Sequence, residues 1–201
     1  DNIQSPNPPT GDDDIVELVE HIFHTIHLFG VMGAVPGSET ALDWMATNNV
    51  NWKTTALHLA MKEAIDAGLY DPSGYAPDWA TVADAAEVAY KEYMYLLNWS
   101  MWDMSTFWDG GSLSPEWNDT LKTPAGMLAN NPLGHDLFKK YFELVLSKPD
   151  FGVLRDIFRD ADAGVSNYQP SGTGGSRVQQ FNWFSLTNAV SGGANGTYTY
   201  G

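Results

Sequence analysis

The apolar positions along most of the sequence repeat with the period of an α-helix. From residue 14 to about residue 29, large apolar side chains recur three and four positions apart, as they do on one face of a helix. Similar patterns predict further helices over about 39–47, 52–67, 79–104, 123–130, 134–147 and 150–159. No convincing two-residue period occurs before residue 175. We therefore predict an all-α fold, arranged as an orthogonal helical bundle.

The two ends of the chain differ in composition from this helical part. Residues 1–13 contain three prolines, several turn-forming residues and almost no apolar side chains, which predicts a flexible, acidic, extended arm. Residues 14–160 form the predicted helical domain. Residues 161–201 are rich in Gly, Ser and Asn and contain one apolar run, VQQFNWFSL at 178–186. We expect this C-terminal extension to pack back on the domain through that run.

The charged residues exclude several classes of function. Asp and Glu number 25 and Lys and Arg number 10, which gives a formal net charge of −15. This excess would repel a phosphate backbone, so we expect no nucleic-acid partner. The sequence has no cysteine, which excludes disulfide bonds, cysteine-ligated metal sites and a cysteine nucleophile. Any metal chemistry must therefore depend on histidine and carboxylate ligands.

The sequence also bears on the location of the protein. No segment has the roughly 18 consecutive apolar residues of a membrane-spanning helix, so we predict no membrane span. The first residue is Asp1, and we expect the sequence to be a processed or excised piece. Together with the acidic composition, these features favour a secreted, extracellular protein.

Ionisable side chains are concentrated on the first predicted helix. Glu17, Glu20, His21 and His24 share its polar side, and His27 lies at the border of that side. Their spacings of three and four residues allow two side chains to reach a common ion. Helices without a metal show the same spacings, because a Glu–His pair by itself stabilises a helix slightly. The opposite, apolar face consists of Ile15, Leu18, Val19, Ile22, Phe23, Ile26 and Phe29.

A metal site would need a further ligand from another helix. The longest predicted helix offers Glu87, Tyr90 and Glu92 within two turns, and Glu87 and Tyr90 lie three residues apart on one side. Zinc in catalytic sites takes three protein ligands and keeps one position for water, and a phenol can donate a hydrogen bond to an oxyanion. We therefore predict a zinc site with the ligands His21, His24 and Glu87, and with Tyr90 as the oxyanion donor.

The stretch EHIFH at 20–24 resembles the metal-binding helix of gluzincin-type zinc metallopeptidases. The later stretches EVAYKEYMYLLN and LKTPAGMLANNPLGHDLFKKYF are similar to the glutamate-bearing and closing helices of such domains. This resemblance implies a zinc-dependent hydrolase that acts on a peptide or protein substrate. Those enzymes carry H-E-x-x-H, whereas the first two residues of the motif are transposed in this sequence.

The transposition leaves two arrangements open. In the first, His21 and His24 bind the metal, and Glu20 is the catalytic base or a carboxylate that supports a ligand. In the second, Glu20 and His24 bind the metal, and His21 takes the position of the base. We expect the first arrangement, in which Glu20 and Tyr90 are the catalytic residues.

The last residues, GGANGTYTYG, resemble one degenerate copy of the glycine-rich calcium repeats of secreted RTX proteins. This resemblance implies an extracellular setting and calcium as a second, weaker candidate ion. The alternative function is a non-catalytic structural or adhesive subunit of an extracellular assembly or filament. The low-complexity ends could pair with neighbouring copies to form a homo-oligomer, and a composition rich in Trp and Tyr but poor in Lys suits self-association.

Two other patterns have purely structural interpretations. Trp99, Trp102, Phe107 and Trp108 form a cluster at the end of the longest predicted helix. Their helical spacing predicts packing in the core in preference to a binding platform. His58 lies on the apolar side of its helix, and we predict a partly buried histidine with a hydrogen-bond partner.

Overall fold

The computed structural model describes residues 12–108 and 111–157, and these parts of the chain are helical without a β-strand. This confirms the all-α prediction. The predicted C-terminal extension and most of the predicted N-terminal arm lie outside the described residues. Two π-helical turns occur, Ile26–Val31 between α1 and α2 and Phe138–Phe142 after α7. The α-helices are α1 (Asp12–Thr25), α2 (Met32–Ala34), α3 (Ser38–Ala41), α4 (Ala56–Asp66), α5 (Ala83–Met101), α6 (Pro124–Asn130), α7 (Pro132–Leu137) and α8 (Phe151–Ile157).

The ends of the helices follow local sequence signals in some places and depart from them in others. The hydroxyl of Thr55 caps α4 by accepting a hydrogen bond from His58 N at 3.1 Å. Gly68, with a φ of +69°, follows the end of α4. The first helix is predicted to end near residue 29, but it continues through a π-helical turn and α2 to Ala34. A π-helical turn takes an extra residue, so it shifts the side chains that follow around the helix axis.

Helix α5 forms the centre of the core. Of its 19 residues, 12 are buried, including every residue from Tyr93 to Met101. It packs against α1, α4, α6 and α7. A helix that is surrounded on all sides carries no polar face. This explains why no charged residue follows Glu92 within α5.

The predicted aromatic cluster packs in this core. Trp99, Trp102 and Phe107 are buried, and Trp99 meets Phe107 and Trp108 edge to face, with ring centroids 5.8 and 4.5 Å apart. His58 is also buried and has a hydrogen-bond partner. Both structural interpretations of the sequence are therefore confirmed.

The orientation of α1 differs from the one that its apolar pattern predicts. The buried side chains run from Ile15 to Phe23 in steps of four residues and continue to His27, which is 1% exposed. Two residues of the predicted apolar face point outward instead, since Ile22 is 44% and Phe29 is 69% exposed. On a helical wheel of α1, the centre of the buried residues Ile15, Val19 and Phe23 lies about 30° from the centre of the predicted apolar face. The helix therefore turns part of its polar side toward the core.

A hydrogen-bond network joins α4, α5 and the turn between α6 and α7. Tyr93 Oη donates to Asn131 Oδ1 at 2.7 Å. Asn131 Nδ2 donates to the Ala60 carbonyl oxygen at 3.0 Å and to Glu63 Oε2 at 2.7 Å. The same Glu63 oxygen accepts a hydrogen bond from Leu133 N at 2.9 Å. The network fixes the start of α7 against α4 and α5.

Within the described residues, one helical stretch has the length and composition of a membrane-spanning helix. It is Ile15–Ala34, with a mean hydropathy of 1.3, and 28% of its most apolar 18-residue segment is buried. The stretch includes Glu17, Glu20 and three histidines, so it does not contradict the prediction of no membrane span, which stays a prediction. A single stretch of this kind near the N-terminus is weak support for a span, because core helices and signal sequences satisfy the same criterion.

The close packing of α7 predicts a sensitive position at Gly134. A methyl group added there would collide with Asn131 Oδ1 and Tyr93 Oη. We expect Gly134→Ala to lower the free energy of unfolding by about 2 kcal/mol, because the network or the helix backbone must shift. Urea unfolding measures this change.

The matched control is Gly33→Ala in α2. No atom lies within 4 Å of the added methyl group at this position. We expect Gly33→Ala to leave stability unchanged or to raise it by up to about 1 kcal/mol, because alanine has the higher helix propensity. Equal unfolding free energies for the two variants would contradict the packing around Gly134.

Candidate metal centre

Three ionisable side chains meet where α1 packs on α5. Glu20 and His24 lie four residues apart on α1, so both project from one side of that helix. Glu92 projects from α5 and meets them. The three side chains are 16–21% exposed, so the group is partly buried but still in contact with solvent. The rotation of α1 described above is what turns Glu20 and His24 toward α5.

The separations within this group would allow the three side chains to share one metal ion. His24 Nε2 lies 3.4 Å from Glu20 Oε1 and 3.7 Å from Glu92 Oε1. One ligand atom from each residue lies within 4.8 Å of the other two. Ligands about 2.0–2.1 Å from a tetrahedral zinc ion are about 3.4 Å apart, which is close to both of these separations. Within the described part of the chain, no other group of three or more His, Asp or Glu residues meets this distance criterion.

The charge around the group is predominantly negative. Burial raises the pKa of Glu92 to about 6; Glu20 also raises it, whereas His24 and Lys91 lower it. Among the described residues, Glu20 and Glu92 form no ion pair with a Lys or Arg, and their carboxylates accept no hydrogen bond from another side chain or from the backbone. A cation bound between the two carboxylates would therefore offset the electrostatic repulsion between Glu20 and Glu92.

Glu87, the predicted third ligand, points elsewhere. Its Oε1 accepts hydrogen bonds from Thr47 N at 2.9 Å and from Thr47 Oγ1 at 2.7 Å. Positions 87 and 92 lie about 140° apart around α5, so only one of the two glutamates can face α1. The structure does not bring Glu87 together with His21 and His24, and Glu92 meets His24 in its place.

Tyr90, the predicted oxyanion donor, lies in the core. It is completely buried, and its hydroxyl is 2.9 Å from His58 Nδ1. Burial raises its pKa, so the phenol stays protonated. The hydroxyl that was predicted to face a substrate is thus used in a hydrogen bond inside the fold, and the structure does not support the predicted role.

The aromatic residue that does lie at the group is Tyr95. Its ring stands edge-on to the His24 ring, with centroids 5.5 Å apart. Burial raises the pKa of Tyr95, and Glu20 adds to this effect, so the phenol remains neutral. Tyr95 comes three residues after Glu92 on the same side of α5. One feature of the sequence could have identified Glu92 and Tyr95 as members of this group. Glu92 is the last charged residue of α5, and the uncharged part of the helix that follows it is buried in the core.

His21 on α1 and His27 in the π-helical turn that follows it occupy opposite environments. His21 is half-exposed, with its ring centroid 6.3 Å from that of His24. His27, predicted at the border of the polar side, is buried against Phe142 and its Nε2 lies 3.2 Å from Asn98 Oδ1. Burial lowers the pKa of His27 to about 3. Of the two arrangements left open by the sequence, the one with Glu20 and His24 as ligands and His21 beside them agrees with this geometry.

The sequence matches no protein-family model, and neither a curated protein nor a solved structure is significantly similar to it. The resemblance to gluzincin-type metallopeptidases and to RTX repeats therefore stays a prediction from short stretches of sequence. The candidate centre rests on the geometry of Glu20, His24 and Glu92 alone.

The burial of His27 predicts a loss of stability in acid. An unfolded histidine binds its proton near pH 6.5, whereas folded His27 binds it only near pH 3. Between these values the unfolded state binds more protons, so stability falls as the pH falls below 6.5, by at most about 1.4 kcal/mol per pH unit for each such histidine. We expect His27→Gln to reduce this slope in urea unfolding between pH 6.5 and 5.

The matched control for this measurement is His21→Gln, which changes a half-exposed histidine on the same helix. We expect its slope to equal that of the unmodified protein. A slope that is the same in His27→Gln as in the unmodified protein would mean that His27 is not held neutral in the folded state.

Proposed function

We propose that this protein binds one divalent transition-metal ion, with zinc as the first candidate, through Glu20, His24 and Glu92. The observation that supports the proposal is the convergence of three ligand atoms from two packed helices within 4.8 Å. An imidazole and two carboxylates form a ligand set that zinc uses in proteins. Calcium is a poorer match, because it prefers six to eight oxygen ligands.

The charge of the group favours a cation over a simple ion pair. His24 carries at most one positive charge, and it stands between two carboxylates that have no other ion-pair partner among the described residues. One protonated histidine leaves the group with a net negative charge in a partly buried place, which is unfavourable. A divalent ion with neutral His24 balances both carboxylates.

A site with three protein ligands has room for a water molecule or a substrate, as in hydrolytic zinc centres. When bound in such a site, zinc polarises a carbonyl group and lowers the pKa of a bound water molecule. Half-exposed His21 lies beside His24, with ring centroids 6.3 Å apart, and would be the candidate to accept a proton from such a water molecule. We therefore propose hydrolysis of a peptide or related acyl substrate as the activity of the metal-loaded protein.

The ligand set is tested by zinc titration against a chromogenic chelator, with metal content measured on the purified full-length chain. We expect about one zinc ion per chain, and on the order of 100-fold weaker binding in His24→Ala and in Glu92→Gln, because each variant removes one of three ligands. Thermal unfolding of the metal-free variants checks that they remain folded.

Two matched controls separate the proposed ligand set from the one predicted from the sequence. His21→Ala changes the neighbouring histidine of α1, and Glu87→Gln changes the other glutamate of α5. We expect both variants to bind zinc as the unmodified protein does. No zinc binding at micromolar concentrations would overturn the proposal, and so would a loss in Glu87→Gln as large as that in Glu92→Gln.

The proposed activity is tested separately with a peptide substrate. We expect zinc-dependent hydrolysis that decreases in His21→Ala while the metal content stays the same, with the decrease in kcat rather than in metal affinity. Zinc binding without hydrolysis of any peptide tested would support the proposed metal centre but contradict the proposed hydrolytic activity.

A further inference from the structure

An apolar stripe runs along the outer side of the first helix. It consists of Leu18, Ile22 and Phe29, which recur at intervals of four and seven residues, and we refer to these three residues as the outer stripe. The side chain of Ile22 is 44% exposed and that of Phe29 is 69% exposed. Only 28% of the most apolar 18-residue segment within Ile15–Ala34 is buried. The outer stripe lies about 160° around the helix from Glu20 and His24. It is therefore a separate surface from the candidate metal centre.

The outer stripe is an unusual surface for a charged protein. Trp44 contacts one end of it, with the Phe29 and Trp44 ring centroids 6.0 Å apart. Leu18 is partly buried, and exposed Thr25 lies between Ile22 and Phe29 on the same side of the helix. An exposed apolar surface can be a place where another segment or molecule packs. Three kinds of occupant could pack on it: another part of this chain, a second copy of the protein, or lipid.

The net charge argues against a second copy and against an anionic lipid surface as the occupant. A second copy carries the same formal charge of −15, so association would bring together two strongly acidic molecules. An anionic lipid surface is repelled for the same reason. A segment of the same chain is already tethered, so it has a high effective concentration and overcomes less repulsion.

The described fold ends beside the start of α1. In α8, the last described helix, Arg155 Nη2 lies 3.0 Å from Asp12 Oδ2 and Arg155 Nε lies 3.2 Å from Asp12 Oδ1. The residues that follow Ile157 thus leave the fold next to the first turn of α1. Between Ile157 and the apolar run at 178–186 there are about 20 residues, which can span up to about 65 Å, whereas Ile15–Ala34 is only about 30 Å long.

The amino-acid composition of the two ends of the chain indicates which segment could pack on the outer stripe. Residues 1–11 directly precede α1 in the sequence, but Ile3 is their only large apolar side chain. The run at 178–186 is the part of residues 158–201 in which large apolar side chains are concentrated. Those side chains are Val178, Phe181, Trp183, Phe184 and Leu186.

We infer that the run VQQFNWFSL at 178–186 packs on the outer stripe of the same molecule. The interaction joins the C-terminal extension to the helix that carries Glu20 and His24, on the side of that helix that faces away from them. It does not depend on metal binding.

The absence of cysteine allows a direct test in the full-length chain. Ile22→Cys is combined with Phe184→Cys in one variant and with Phe181→Cys in another, which covers two positions along the run. Mild oxidation of dilute protein should form an intramolecular disulfide in at least one of the two variants, at least ten times faster than in a control pair. Non-reducing electrophoresis and mass spectrometry measure the product.

The control pair combines Leu59→Cys with the same positions in the run. Leu59 is 46% exposed, close to the 44% of Ile22, but it lies on α4. Disulfide formation no faster with Ile22→Cys than with Leu59→Cys would overturn the inference. A disulfide-linked dimer as the main product would identify a second copy as the occupant instead, and flotation of the unmodified protein with phosphatidylcholine vesicles would identify lipid.

Discussion

His27, in the π-helical turn that follows α1, forms a buried polar contact with Asn98 of α5. His27 is 1% exposed and Asn98 is completely buried, so each side chain depends on the other for a hydrogen bond. A buried polar group without a partner costs about 1–3 kcal/mol. Packing that followed the apolar pattern alone would instead bury Ile22 and Phe29 and place His27 at the edge of the interface. We therefore expect the polar pair to favour the observed rotation of the helix over the one that the apolar pattern predicts.

The other properties of α1 follow from this rotation, because side-chain directions on a helix are fixed relative to one another. Glu20 and His24 turn toward α5 and meet Glu92, and the outer stripe turns away from the core. Burial of an apolar side chain stabilises a fold by about 1.5–3 kcal/mol. The observed orientation gives up such burial on one flank and half-buries ionisable groups on the other. Departures from the local pattern of this kind occur at functional or strained sites of proteins.

The all-α fold, most helix positions and the aromatic core could be predicted, because periodicity, caps and glycines are local signals. The sequence could not predict which of Glu87 and Glu92 meets the first helix. The one that faces α1 depends on the rotation of α5, which is set by contacts such as the hydrogen bond between Tyr90 and His58, 32 positions apart. The burial of His27 likewise depends on an asparagine 71 positions away. The π-helical turn after α1 adds a shift that no periodic pattern shows.

A double-mutant cycle on His27 and Asn98 tests this account most directly, with urea unfolding near pH 7.5 of His27→Leu, Asn98→Leu and the double variant. We expect each single substitution to lower the free energy of unfolding by about 1–3 kcal/mol, because it leaves the partner unpaired in the core. The double variant should lose less than the sum, with a coupling energy of at least about 1 kcal/mol. Additive losses below about 0.5 kcal/mol for each substitution would place His27 at the solvent edge of α1 and contradict the rotation.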